Sequence, residues 1–297
     1  MQNCYARARY GLMAVALFAL GCQPSQPAAG PASEVASPRM SDPPPTATGA
    51  EPVLQTGHLL PVSAAVFSPD GKRVVTASLD GTAIVWDAAT GQQTRTLYGH
   101  TQWVRSAAFS PDGKQVATAS HDATVILWDA DTGQQTRTLS RQKEYRGANE
   151  VAFSPDGKRV AVASLGGIAI VWDATTGQQV RVLTGHAGAV YGVAFSPNGQ
   201  QIATASGDKT AILWDANTGQ QIRALAGHAG EVHAASFSPD GKQVATASGD
   251  KSAILWDTAT GQQIRTLAGH TGDIYGVAFS PDGKQIATAS HDKTAML

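Results

Sequence analysis

The chain has 297 residues, and its 22 Lys and Arg against 23 Asp and Glu leave a formal net charge of −1. With neither a basic nor an acidic field in control, a dedicated nucleic-acid or anionic-membrane surface is disfavoured. The two cysteines, Cys4 and Cys22, both sit near the N-terminus, which excludes a disulfide framework for the fold.

In chain order, Arg7 and Arg9 precede an apolar run from Gly11 to Leu20. Spanning a bilayer takes about 20 apolar residues, so the run is too short to cross and reads as the core of an export signal covering residues 1–21. It ends in Ala19-Leu20-Gly21-Cys22, which resembles the bacterial lipobox, although Ala19 and Leu20 depart from the preferred pair. The resemblance implies cleavage before Cys22, lipidation of that thiol, and contact with the membrane through the lipid anchor only. Gln23 in place of Asp resembles lipoproteins sent to the outer membrane. The expected location is therefore the cell envelope, facing the periplasm or the surface. Residues 22–50 are rich in Pro, Ala, Ser and Thr, and Asp42-Pro43-Pro44-Pro45 opposes both helix and central strand, so this stretch reads as an extended tether.

From residue 51 onward the chain repeats itself. Ser-Pro-Asp-Gly begins at 68, 110, 154, 238 and 280, and Ser-Pro-Asn-Gly at 196; the spacing is 42 residues except for 44 across the third unit. Trp-Asp recurs at 86, 128, 172, 214 and 256, and Gly-His at 57, 99, 185, 227 and 269. Within one unit the residues predict four short strands, at 190–195, 201–205, 210–214 and 221–225, separated by turns at Asn198-Gly199, Gly207-Asp208 and Thr218-Gly219. The strands lack clean polar alternation, as expected of sheets covered on both faces.

A period of about 40–45 residues carrying Gly-His and Trp-Asp resembles the WD40 repeat, a β-propeller blade. The resemblance implies an all-β, six-bladed propeller over residues 51–297. Its blades fall at about 58–98, 100–140, 141–184, 186–226, 228–268 and 270–297, the last completed by residues 51–56. Ring closure is expected through pairing of residues 53–56 with about 293–297. The family's hydrogen-bonded structural groups would map to His58, Asp80 and Trp86; His100, Asp122 and Trp128; His186, Asp208 and Trp214; and His228, Asp250 and Trp256, with a hydroxyl from a residue such as Ser206 or Thr204. The third unit departs from this pattern, with Ser140-Arg141 for Gly-His and Gly166 for the Asp. Its longer loop at 141–150 is expected to be the most mobile of the domain. The sixth unit has His270 and Asp292 but stops before a Trp-Asp.

The repeats differ at a few aligned places: Trp103, Glu231 and Asp273 before the first strand; Arg105, Asn149, Tyr191, His233 and Tyr275 just inside it; His121 and His291 before the turn Asp. With Tyr145 from the third unit's loop, these make the candidate partner-binding face, because Trp, Tyr and Arg carry much of the energy at protein interfaces. The Ser-Pro-Asp-Gly and Thr-Gly-Gln-Gln turns hardly vary. No zinc-binding His-Glu-x-x-His, nucleophile elbow or phosphate loop occurs, so neither catalytic nor metal residues nor a cofactor are expected. The expected function is a non-enzymatic scaffold for a protein or peptide partner. The alternative is an exported propeller enzyme or a small-ligand binder at the channel mouth.

Overall fold

The computed structural model describes residues 57–139 and 146–297. The closing strand expected at 53–56, Cys22 and Tyr145 lie outside that range. Within it the secondary structure is entirely β, and the sheets form a six-bladed propeller. Five blades are four-stranded antiparallel meanders and the sixth has three strands, each blade in sequence order. The fourth blade shows the unit: Val190–Phe195, Gln201–Ser206, Thr210–Asp215 and Gln221–Ala226. Each strand matches its sequence-based limits to within one residue. Ser-Pro-Asp-Gly makes the first turn by itself: Ser110 Oγ donates to Asp112 Oδ1 at 2.6 Å, and Gly113 takes φ 72°, where a side chain would be strained.

First strands of neighbouring blades pack against one another around the ring, whereas fourth strands do not, so the first strands line the central channel. The core lies between blades. Ala203, Leu213 and Leu225 of the fourth blade bury against Val232, Phe237, Val244, Ile254 and Trp256 of the fifth, and the pattern repeats at four other junctions. Small residues on one sheet face and branched or aromatic ones on the next let the sheets interlock closely.

The junction between the sixth and first blades is different. Among the described residues no apolar cluster bridges it. Val62 is 49% exposed, whereas its counterparts Val104, Val190 and Val232 are at 0%. Ala295 is exposed, whereas Ala211 and Ala253 are buried. Among the described residues, the two sheet surfaces at this junction thus carry core-type residues without a packed partner. Val190→Ala is therefore expected to cost about 2 kcal/mol in urea unfolding, while Val62→Ala costs close to nothing. Equal losses would mean that residue 62 is buried in solution and that the ring is sealed.

Candidate functional site

The variable positions are gathered by the backbone. In every blade the residue before the turn Asp, or before Gly166 in the third, donates its N–H to the carbonyl of the residue before the first strand. Examples are His121 to Trp103 at 2.9 Å, Gly249 to Glu231 at 2.9 Å and His291 to Asp273 at 2.8 Å. The position between them is a β-bulge in all six blades: the register slips at Ser63, Arg105, Asn149, Tyr191, His233 and Tyr275. A bulged residue is released from the ladder and re-aimed, and here it sits at one end of the channel-lining strand. The Ser-Pro-Asp-Gly turns close the other end of the same strands, on the opposite face.

These side chains reach from blade to blade. Ser63 Oγ donates to Val104 O at 2.6 Å, and Asn149 Nδ2 donates to Tyr191 O at 2.6 Å. The His233 ring lies 5.5 Å from Tyr191 and 4.7 Å from Tyr275, and Tyr275 meets His291 edge-on at 6.2 Å. Across the mouth, Trp103 is 44% exposed and stacks obliquely on His121 at 5.3 Å. Half the mouth is thus an aromatic and imidazole arc, and the other half holds Arg105, His121 and Trp103.

Glu150, which the repeat comparison did not single out, also faces this channel. Its position holds Ala64, Ser106, Gly192, Ala234 and Gly276 in the other blades, so a carboxylate among small residues was the available signal. Its Oε2 accepts from Val193 N at 2.8 Å, in space left by Gly192, where a Cβ would stand 3.1 Å from the same oxygen. Burial outweighs that hydrogen bond and pushes the carboxyl up to about 7.

Behind the mouth lie the buried His and Asp groups. In the fourth blade Trp214 Nε1 donates to Thr204 Oγ1 at 2.8 Å, the same oxygen is 2.7 Å from His186 Nε2, and His186 Nδ1 is 2.8 Å from Asp208 Oδ2. The same set recurs with His58, Thr76, Asp80 and Trp86; with His100, Thr118, Asp122 and Trp128; and with His228, Thr246, Asp250 and Trp256. The sixth blade keeps His270, Thr288 and Asp292. A six-fold family match spans the six blades: the WD domain, G-beta repeat model covers residues 51–87, 91–129, 133–173, 177–215, 219–257 and 261–297.

The chain belongs to the WD40 repeat family. No curated protein matches it. The hydroxyl of each WD40 group comes from the threonine and not from the serine two residues on. Ser206 Oγ instead donates to Gly188 O at 3.2 Å and accepts from Asp208 N, also at 3.2 Å. In the third blade Val162 replaces the threonine as well as Gly166 replacing the Asp, so Trp172 has lost the whole set. Desolvation raises the Asp122 carboxyl, but hydrogen bonds from His100, Thr124 and Thr101 N outweigh it, and the net pKa falls well below the usual range. For Asp250 the same balance ends at about 2. These groups are fully spent on structure.

On the turn face, a cleft of about 770 Å³ opens between the second and third blades, beside Gln115. Three of its carboxylates are engaged in their own turns, Asp112 with Ser110, Asp129 with Thr132 and Asp156 with Ser154. No group of three or more His, Cys, Asp or Glu among the described residues is placed to hold a metal ion.

The raised Glu150 pKa has a definite sign. An unfolded Glu titrates near 4.3, so between about 4.3 and about 7 the folded state holds the extra proton, and stability falls as pH rises through that window. Glu150→Gln keeps an oxygen for Val193 N and removes the titration. Its melting temperature is expected to exceed that of the wild type at pH 8 and to match it at pH 4.5. A constant offset at both pH values would mean the carboxylate is not the cause.

Proposed function

We propose that this WD40 chain is an exported, lipid-anchored scaffold that holds a protein or peptide partner on its channel mouth and performs no catalysis itself. The observation that carries the reading is the set of six bulges, which present Ser, Arg, Asn, Tyr, His and Tyr at equivalent places around one mouth. WD40 propellers commonly serve protein interaction, and the uniform turns of the opposite face give no comparable chemical variety. Tyr and Trp contribute broad contact area with few rotatable bonds, and Arg contributes a directional cation, which suits a peptide more than a single small metabolite. Anchoring rests on the apolar run that ends at Cys22 and on the Pro-rich tether behind it. With a lipid at one end and the propeller at the other, the mouth would sweep a region near the envelope membrane.

Two measurements test this. Cys22→Ala is expected to release the protein from the membrane fraction or leave it uncleaved; wild-type protein recovered free in the soluble fraction would contradict anchoring. Affinity capture from detergent-solubilised membranes is expected to return a partner with the wild type and to lose it with Arg105→Ala, Tyr191→Ala and Tyr275→Ala combined. Equal recovery with both would remove the mouth as the binding face.

A further inference from the structure

Arg105 differs from the other arginines in what surrounds it. On the turn face, Arg73 pairs with Asp131 at 2.7 Å and donates to Gly113 O, and Arg159 donates to Ala216 O and Gly199 O. Arg95, Arg137 and Arg181 likewise donate to carbonyls of the following blade. Arg105 is half-buried, and its Nε is out of solvent with no hydrogen-bond partner; among the described residues it forms no ion pair.

Three of the described acids near this end of the channel are engaged elsewhere. Asp122 is taken by His100, Thr101 N and Thr124. Glu150 is turned to the fourth blade, onto Val193 N. Asp273 Oδ2 accepts from Tyr275 in the sixth blade. The titratable neighbour is His121, which burial first and the Arg105 charge second hold toward the neutral form. A desolvated cation that no described carboxylate pairs with is a standing cost to the fold, and an anion bound beside it recovers that cost.

We propose that Arg105 receives a carboxylate of the bound peptide, either an Asp or Glu side chain or a free C-terminus, with Trp103 and His121 forming the wall beside it. This rests on the reading of the mouth as a peptide-binding face. A monoanion fits better than a phosphate dianion. Glu231 and Asp273 add negative charge to the same mouth, which disfavours a second charge on the ligand. The opposite arc of Tyr191, His233 and Tyr275 then takes the remainder of the peptide by ring contact.

The test is an array of random dodecapeptides, each made with a free and with an amidated C-terminus, probed with labelled full-length protein in detergent. Wild type is expected to select peptides bearing Asp or Glu, or peptides that bind only with a free C-terminus; the two arms separate these sources. Replacing the selected acid by its amide, or amidating the C-terminus, should weaken binding roughly tenfold to a hundredfold. In Arg105→Gln that difference should shrink to about one, while Arg73→Gln on the other face keeps it. An acid preference that survives in Arg105→Gln would overturn the proposal, as would a preference for phosphoserine over Asp. Peptide binding that is lost in Tyr191→Ala but shows no acid preference would overturn it and leave the face intact. If wild type selects no peptide at all, both readings fall.

Discussion

A single threonine hydroxyl in the second strand organises each complete blade. In the fourth, Thr204 Oγ1 takes the Trp214 indole proton on one side and meets His186 Nε2 on the other. Burial, which the Asp208 partner only partly offsets, lowers the His186 pKa and so favours the neutral ring. The network then assigns the proton to Nδ1, which donates to Asp208, and leaves Nε2 to accept from Thr204. Asp208 finishes the relay by accepting from Ala187 N, Thr210 N and Thr210 Oγ1. One directional chain thus ties the approach to the first strand, the second and third strands, and the turn between them. Every polar atom in it is satisfied, which is the condition for burying so many without cost.

That rigidity is what lets the mouth vary. The bulge next to the relay frees one residue per blade from the ladder, so Ser63, Arg105, Asn149, Tyr191, His233 and Tyr275 exchange chemistry without changing the register. The third blade lacks the relay: Val162 and Gly166 replace its threonine and Asp, and Trp172 packs into the apolar cluster between the second and third blades. The relay also sets an acid limit. Its aspartates titrate below their unfolded value of about 3.9, so the stability they add is complete above that pH and drains away as pH falls toward about 2.

Much of this was legible in the residues. The repeat fixed the strands because each turn carries its own chemistry, and the His, Asp and Trp sets of four blades were implied by the resemblance to WD40 repeats. The hydroxyl was not settled, because Thr204 and Ser206 are two apart and share one face of a strand buried on both sides, where alternation gives no preference. The bulges leave no mark in composition; they appear only as slipped pairing. Glu150 and Val162 could have been found by aligning the repeats one position further in each strand. The exposed seam could not: Val62 has the same side chain as Val104, and only the three-dimensional neighbours differ.

The central claim is a division of labour, in which the relay holds the fold and the mouth spends stability on binding. Urea unfolding of Thr204→Val beside Arg105→Gln tests it most directly. Thr204→Val strands the Trp214 N–H and the His186 ring and is predicted to cost about 1–3 kcal/mol. Arg105→Gln removes a half-buried cation whose Nε has no hydrogen-bond partner and is predicted to leave stability unchanged or higher. A loss for Arg105→Gln as large as that for Thr204→Val would contradict the account, because it would make Arg105 part of the framework and not of the site.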